Sequence, residues 1–315
     1  MEYRVLGKSG LAVSRMCFGA LTVGPLQANL PVKEGAQVIR QALENGVNFI
    51  DTAQLYGTYD YIKEALKGFA GEVIISSKSY AYTAEDMQKS VEEALRSTDR
   101  DVIDIFMLHE QESHLTLKGH REALEYLMVA KEKGYIRAIG VSSHMVAGIT
   151  AAAEIPEIDV LHPLINKKSI GILDGTAEDM LAAIRKARSV GKGIFGMKPL
   201  GGGNLIKDRT EAFDFVLGLE ELDSIALGMK SVAEVEMNIR IFNGQQVPSE
   251  LEEEVGALER KLHIEDWCEA CGKCTVRCHS KALYLEKGKL KVRQENCLLC
   301  GYCSYVCPYF CIKII

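Results

Sequence analysis

The sequence predicts an α/β fold, a (β/α)8 barrel, followed by a small cysteine-rich α+β domain. Eight short β-branched or apolar runs alternate with amphipathic helical stretches over about 245 residues, close to the ~250 usual for a barrel of eight parallel strands. The last fifty residues then carry the spacing C-x2-C-x2-C-x3-C twice. The first run is Cys268, Cys271, Cys274 and Cys278; the second is Cys297, Cys300, Cys303 and Cys307.

Strands are expected from Ser14 to Phe18, Val47 to Ile50, Val73 to Ser77, Ile103 to Leu108, Ile136 to Val141, Val160 to Ile165, Ile194 to Lys198 and Ser224 to Gly228. Helical spacing of apolar residues falls between them. Ala36, Ile39 and Leu43 share a face between Val32 and Glu44; Met87, Val91, Ala94 and Leu95 do so between Ala84 and Leu95. Residues 1–242 would form the barrel, 243–265 a link and 266–315 the small domain. Leu251, Val255, Leu258 and Leu262 sit at helical spacing, so the link is expected to be helical. Trp267, the only tryptophan, reads as a packing anchor for the small domain.

Of 315 residues 47% are hydrophobic and 25% charged, with a net charge of -6 and no apolar run long enough to span a bilayer. A soluble globular chain follows. The acidic balance argues against nucleic acid, which needs a basic face. Without a secretory signal, the cysteines point to a reducing cytoplasm rather than to disulfides.

Three thiolates within seven residues fit iron–sulfur ligation better than a tetrahedral zinc site, whose cysteines usually fall in two separated pairs. With its closing Cys307-Pro308, the tail resembles a two-cluster bacterial ferredoxin. The resemblance implies two [4Fe–4S] clusters with crossed ligation. One cluster would take Cys268, Cys271, Cys274 and Cys307, the other Cys297, Cys300, Cys303 and Cys278. His279 stands where the pattern has proline; Cys311 and Cys17 read as packed apolar thiols.

In such a barrel the working residues lie past the C-terminal ends of strands. Asp51-Thr52-Ala53-Gln54-Leu55-Tyr56-Gly57, Lys78, His109 and Ser142-Ser143 occupy those positions. The opening from Tyr3 to Ser14, the Asp-Thr-Ala-x-x-Tyr-Gly motif and Ile139-Gly140-Val141-Ser142 resemble the aldo-keto reductase family, over Tyr3 to about Asn238. The resemblance implies a catalytic tetrad of Asp51, Tyr56, Lys78 and His109. Tyr56 would protonate the developing alkoxide, Lys78 would ease loss of the phenolic proton, Asp51 would hold Lys78, and His109 would position the carbonyl.

The implied cofactor is NADPH or NADH. Its candidate contacts are Ser142, Ser143, His162, Lys198, Gly201-Gly202-Gly203, Lys230, Ser231 and Asn238. Gly191-Lys192-Gly193-Ile194-Phe195-Gly196 mimics a dinucleotide fingerprint but enters a strand instead of opening a helix. His162 replaces a family glutamine, Met197 an aromatic, and Glu234 stands where a 2′-phosphate would be repelled.

The function expected is an oxidoreductase reducing a small carbonyl, or oxidising an alcohol, with electron transfer through the tail. Hydride moves two electrons and a cluster one, so a flavin coupling the two parts, or a redox protein partner, is also admitted. The alternatives are an electron-transfer module with the barrel as docking platform, and clusters that are purely architectural.

Overall fold

The computed structural model describes residues 1–315. Eight parallel strands close into a barrel. They are β3 (Met16–Gly19), β4 (Phe49–Asp51), β5 (Ile74–Ser79), β6 (Ile103–Leu108), β7 (Ile136–Ser143), β8 (Val160–Pro163), β9 (Gly193–Met197) and β10 (Ser224–Gly228). β10 closes the ring on β3, with Ile225 opposite Met16 and Gly228 opposite Gly19.

The helices around the barrel are α1 (Val32–Glu44), α2 (Tyr59–Leu66), α3 (Ala84–Thr98), α4 (His114–Gly119), α5 (Arg121–Glu132), α6 (Val146–Ala153), α7 (Ala177–Ser189), α8 (Arg209–Leu217) and α9 (Val232–Phe242). The apolar stripe read for α1 is buried at Ala36, Ile39 and Leu43. Thr83 caps α3 by accepting from Asp86 N, satisfying a donor that the helix leaves free. The main core lies between strands and helices, while a second cluster fills the barrel interior.

Two elements depart from the expectation. An N-terminal hairpin, β1 (Tyr3–Val5) with β2 (Ala12–Ser14), precedes the barrel, and its Leu6, Leu11 and Val13 plug the interior beside Phe49 and Phe195. Three-residue strands are too short for an alternating pattern to declare itself. In the link, only α10 (Ser249–Gly256) is helical, and Leu262 belongs to β11 (Leu262–Ile264).

After β11 come α11 (Lys273–Arg277), the hairpin β12 (Leu283–Glu286) and β13 (Lys289–Val292), and β14 (Ile312–Ile314), which pairs antiparallel with β11. This tail is seated on the barrel. Ile314 N donates to Gly202 O at 3.0 Å, Asn204 Nδ2 donates to Ile312 O at 3.0 Å, and Phe310 is buried in the main core. A Cβ on Gly203, whose φ is +84°, would collide with the Ile314 carbonyl oxygen. Gly202 and Gly203 therefore serve close approach between the tail and the loop after β9.

The iron–sulfur expectation is corrected here. All ten cysteines are free thiols. Those of Cys307, Cys268 and Cys271 lie near Cys274, whose own thiol is pushed up to about 11 by burial and these neighbours. Cys278 and Cys300 similarly neighbour Cys297. Yet no group of three or more His, Cys, Asp or Glu side chains is placed to hold a metal ion. Spacing along the chain brings thiols into one neighbourhood; ligation demands that their sulfurs converge on a common centre. On that finding the ferredoxin module, its two clusters and electron transfer through Cys268, Cys271, Cys274, Cys278, Cys297, Cys300, Cys303 and Cys307 are withdrawn. His279 is exposed and joins no such group; Cys311 and Cys17 are buried, as apolar thiols are. The electron-transfer module with a docking barrel, and the flavin meant to couple the parts, lapse with the clusters.

Candidate active site

Asp51 ends β4, Lys78 lies near the end of β5, and His109 follows β6, so three adjacent strands bring them to one end of the barrel. Tyr56 reaches the same place on a short 3-10 turn, Gln54–Tyr56, that Gly57 ends with φ +64°. Lys78 Nζ donates to Asp51 Oδ2 at 2.7 Å and to Thr52 O at 2.7 Å. His162 Nε2 stands 3.7 Å from the same carboxylate oxygen, its Nδ1 bonded with Phe195 O at 2.7 Å and its ring stacked on Phe195. Asp51, Lys78 and His162 thus form a buried triad. The tyrosine and the other histidine frame it: Lys78 Nζ is 4.8 Å from the Tyr56 ring centre, Tyr56 meets His109 edge-on, and Tyr80 stacks on His109.

Electrostatics follow from burial. Removal from water would raise the Asp51 carboxyl, but Lys78 and His162 hold it at about 2. Burial, reinforced by Lys78, lowers His109 to about 3 and keeps it neutral. Tyr56 is driven well above its ordinary value by burial and by Asp51, Glu110 and Tyr80. Here the structure departs from the expectation that Lys78 makes the phenol acidic. Its ammonium is spent on Asp51 and Thr52, so Tyr56 rests as a protonated donor.

Asp51, Tyr56, His109 and His162 line a cavity of about 870 Å³ at the barrel mouth, ample for a ligand of drug size or larger, with Lys78 buried behind them. The tail builds part of its wall through Trp267, Phe310, Lys313 and Ile315. Trp267 is 57% exposed with Nε1 donating to Tyr309 O, so it borders the cavity and is no buried anchor.

Several expected nucleotide contacts border the cavity: His162, Lys198, Gly202, Gly203, Lys230 and Asn238. Asn238 Oδ1, His109 Nδ1 and Asp51 Oδ1 are buried without partners, as atoms awaiting a ligand would be. The donor set fits a nicotinamide nucleotide. Several candidates, Lys198 among them, are engaged by the chain itself. Ser142 Oγ accepts from Glu110 N, Ser143 Oγ donates to Gln111 O, Ser231 Oγ caps α9 by accepting from Glu234 N, and Lys198 Nζ is bonded to His144 Nε2 at 2.8 Å. Gly201 packs against Ile170. Glu234, expected to repel a 2′-phosphate, is tied to Arg260 at 3.1 Å and to Lys230 N at 2.7 Å. Arg260 was not foreseen, since it comes from the link, but its cation lies on the cavity wall.

Comparison with known proteins agrees with the barrel. A family model described as "Aldo/keto reductase family" matches residues 15–226. L-galactose dehydrogenase of Arabidopsis thaliana is 25% identical over 76% of this chain and 87% of its own. The 6-dehydroglucose reductase of Novosphingobium aromaticivorans is 26% identical over 84% of this chain and 93% of its own. Among solved structures, an aldo-keto reductase of Bacillus halodurans in its holo form superimposes with a TM-score of 0.63 at 21% identity, over 81% of this chain and 95% of that one, a likeness of fold.

Proposed function

We propose, for a chain that belongs to the aldo/keto reductase family, that the barrel mouth reduces a small carbonyl compound, or oxidises the corresponding alcohol, with NADPH or NADH. The observation that carries this reading is the buried Lys78–Asp51 pair placed beside Tyr56 and His109 on the cavity wall. Two relatives carry names for the two directions, a dehydrogenase and a reductase. The ten free thiols accord with a reducing cytoplasm as its place of work.

A bound reduced nicotinamide supplies a hydride to the carbonyl carbon. His162 and Asn238 would hold the nucleotide, with Lys230 and Arg260 near its phosphates. Tyr56 Oη delivers the proton to the carbonyl oxygen as that oxygen gains charge, and the phenolate left behind is reprotonated from solvent. Lys78 sets a fixed positive charge beside the phenolate, stabilising it only once it forms. Asp51 keeps that ammonium in place, and neutral His109 orients the carbonyl oxygen by a hydrogen bond.

The test is anaerobic oxidation of NADPH and of NADH by the full chain with a panel of aldehydes, ketones and aldoses. Carbonyl-dependent nucleotide oxidation is expected. Nucleotide binding with no turnover of any carbonyl, and no reduction of NADP+ or NAD+ by the matching alcohols, would refute the reading.

A further inference from the structure

Beyond the tetrad, the cavity wall holds two lysines that no carboxylate pairs. Lys198, half-buried, extends Nζ to His144 Nε2 at 2.8 Å. Lys313, 5% exposed and carried by β14 of the tail, donates to Phe310 O. Both ammonium groups lie over the Phe310 ring, which also meets His144 edge-on, so barrel and tail converge on one spot. The nearby carboxylates are committed elsewhere. Glu110 accepts from Tyr80 at 2.6 Å and faces His144 at 3.4 Å, while Glu265 faces His263 at 3.2 Å. The remaining buried lysines contrast with this pair: Lys78 has Asp51, and Lys192 donates to two carbonyls of the loop before β8, Ile155 O and Ile158 O.

Burying an ammonium without a counter-charge is costly, and two that border one cavity are best balanced by a negative ligand. Burial lowers both lysines from their ordinary value, as expected of cations lacking that ligand. Lys198 also holds φ at +59°, a conformation a non-glycine residue adopts at a cost.

We propose that Lys198 and Lys313, with His144, form an anion subsite that selects carbonyl substrates bearing a carboxylate or phosphate. The proposal rests on the carbonyl-reduction reading, and it makes the tail part of the substrate pocket. His109, which would orient the reacting carbonyl, lines the same cavity as Lys198 and Lys313.

The experiment compares 4-carboxybenzaldehyde with its neutral analogue, methyl 4-formylbenzoate, in the wild-type chain and in Lys198→Met and Lys313→Met, each verified as folded by circular dichroism. Losing one charge-assisted bond should cut the preference in kcat/KM for the acid over the ester by about 10- to 100-fold, mainly through KM. Calorimetry with benzoate, in the presence of NADPH, should show a parallel loss of affinity in both variants. An unchanged preference overturns the proposal. So does weakened NADPH binding with the preference intact, which would make the nucleotide's pyrophosphate the anion. If the wild type reduces neither aldehyde, the carbonyl-reduction reading is what suffers, and the benzoate titration decides the subsite. Binding lost in both variants supports it, whereas no binding by the wild type, or equal binding by all three, overturns it.

Discussion

Replacing Lys78 with methionine keeps most of the side-chain volume and removes the ammonium. The pair it breaks is almost wholly dry, with side-chain exposures of 1% for Lys78 and 7% for Asp51. Breaking a buried pair costs about 3–5 kcal/mol because the remaining charge loses its partner, and Thr52 O also loses a donor worth about 1 kcal/mol. At about 1.5 °C per kcal/mol for a chain of 315 residues, the melting temperature should fall by roughly 6–9 °C. The Asp51 carboxyl, now held at about 2, should rise above its ordinary value because burial would act unopposed except by His162. Carbonyl reduction should drop by about 10²–10⁴. Thermal melts, denaturant titration and single-turnover nucleotide oxidation read the three effects. Adding Asp51→Asn should recover part of the stability while leaving the enzyme inactive. A Lys78→Met chain that loses under about 1 kcal/mol, or that keeps near wild-type turnover, would refute the assignment of a buried functional pair.

Further outcomes follow from the same geometry. Tyr56→Phe should abolish carbonyl reduction while the dissociation constant for NADPH stays within a few-fold, as followed by fluorescence titration; retained turnover would exclude Tyr56 as the proton donor. Gly203→Ala should loosen the tail, because the new methyl meets the Ile314 carbonyl at φ +84°, and limited proteolysis should then cut near β14 sooner than in wild type. Since His109 is held at about 3 in the folded chain, below its ordinary 6.5, the unfolded state binds the extra proton between those values. Stability from this group is therefore full above pH 6.5 and declines as pH falls toward 3, a slope that His109→Gln should flatten in denaturant titrations. In the same range kcat for reduction should show no step near 6.5 from His109.

Much of the barrel was legible because its strands are buried on both faces and read as apolar runs, as at Ile103–Leu108. The placement of Lys78 and His109 at the barrel mouth was legible because they close such apolar runs at their C-terminal ends. The hairpin β1–β2 was not, its strands being three residues long. Nor could local spacing reveal that Gly202 and Gly203 seat the tail, that Arg260 neutralises Glu234, or that Lys313 comes within reach of the Lys198 neighbourhood, since each joins segments far apart in the chain. The cysteine runs show the converse limit. A repeated spacing announces which thiols will be neighbours, as Cys274 and Cys307 are, but the convergence needed for a metal is a tertiary property. Tyr56 taught a related lesson: its neighbours were foreseen, yet the sign of its shift depends on where the Lys78 ammonium points.

Direct hydride transfer at the barrel mouth can be followed isotopically. NADPH deuterated on one face of C4 at a time would be supplied anaerobically with an aldehyde that the chain reduces, and the alcohol analysed by mass spectrometry and NMR. One of the two labelled forms should place its deuterium on the carbinol carbon, and Tyr56→Phe should form no labelled alcohol. Alcohol formed without deuterium from either form, while NADPH is consumed, would contradict direct hydride transfer.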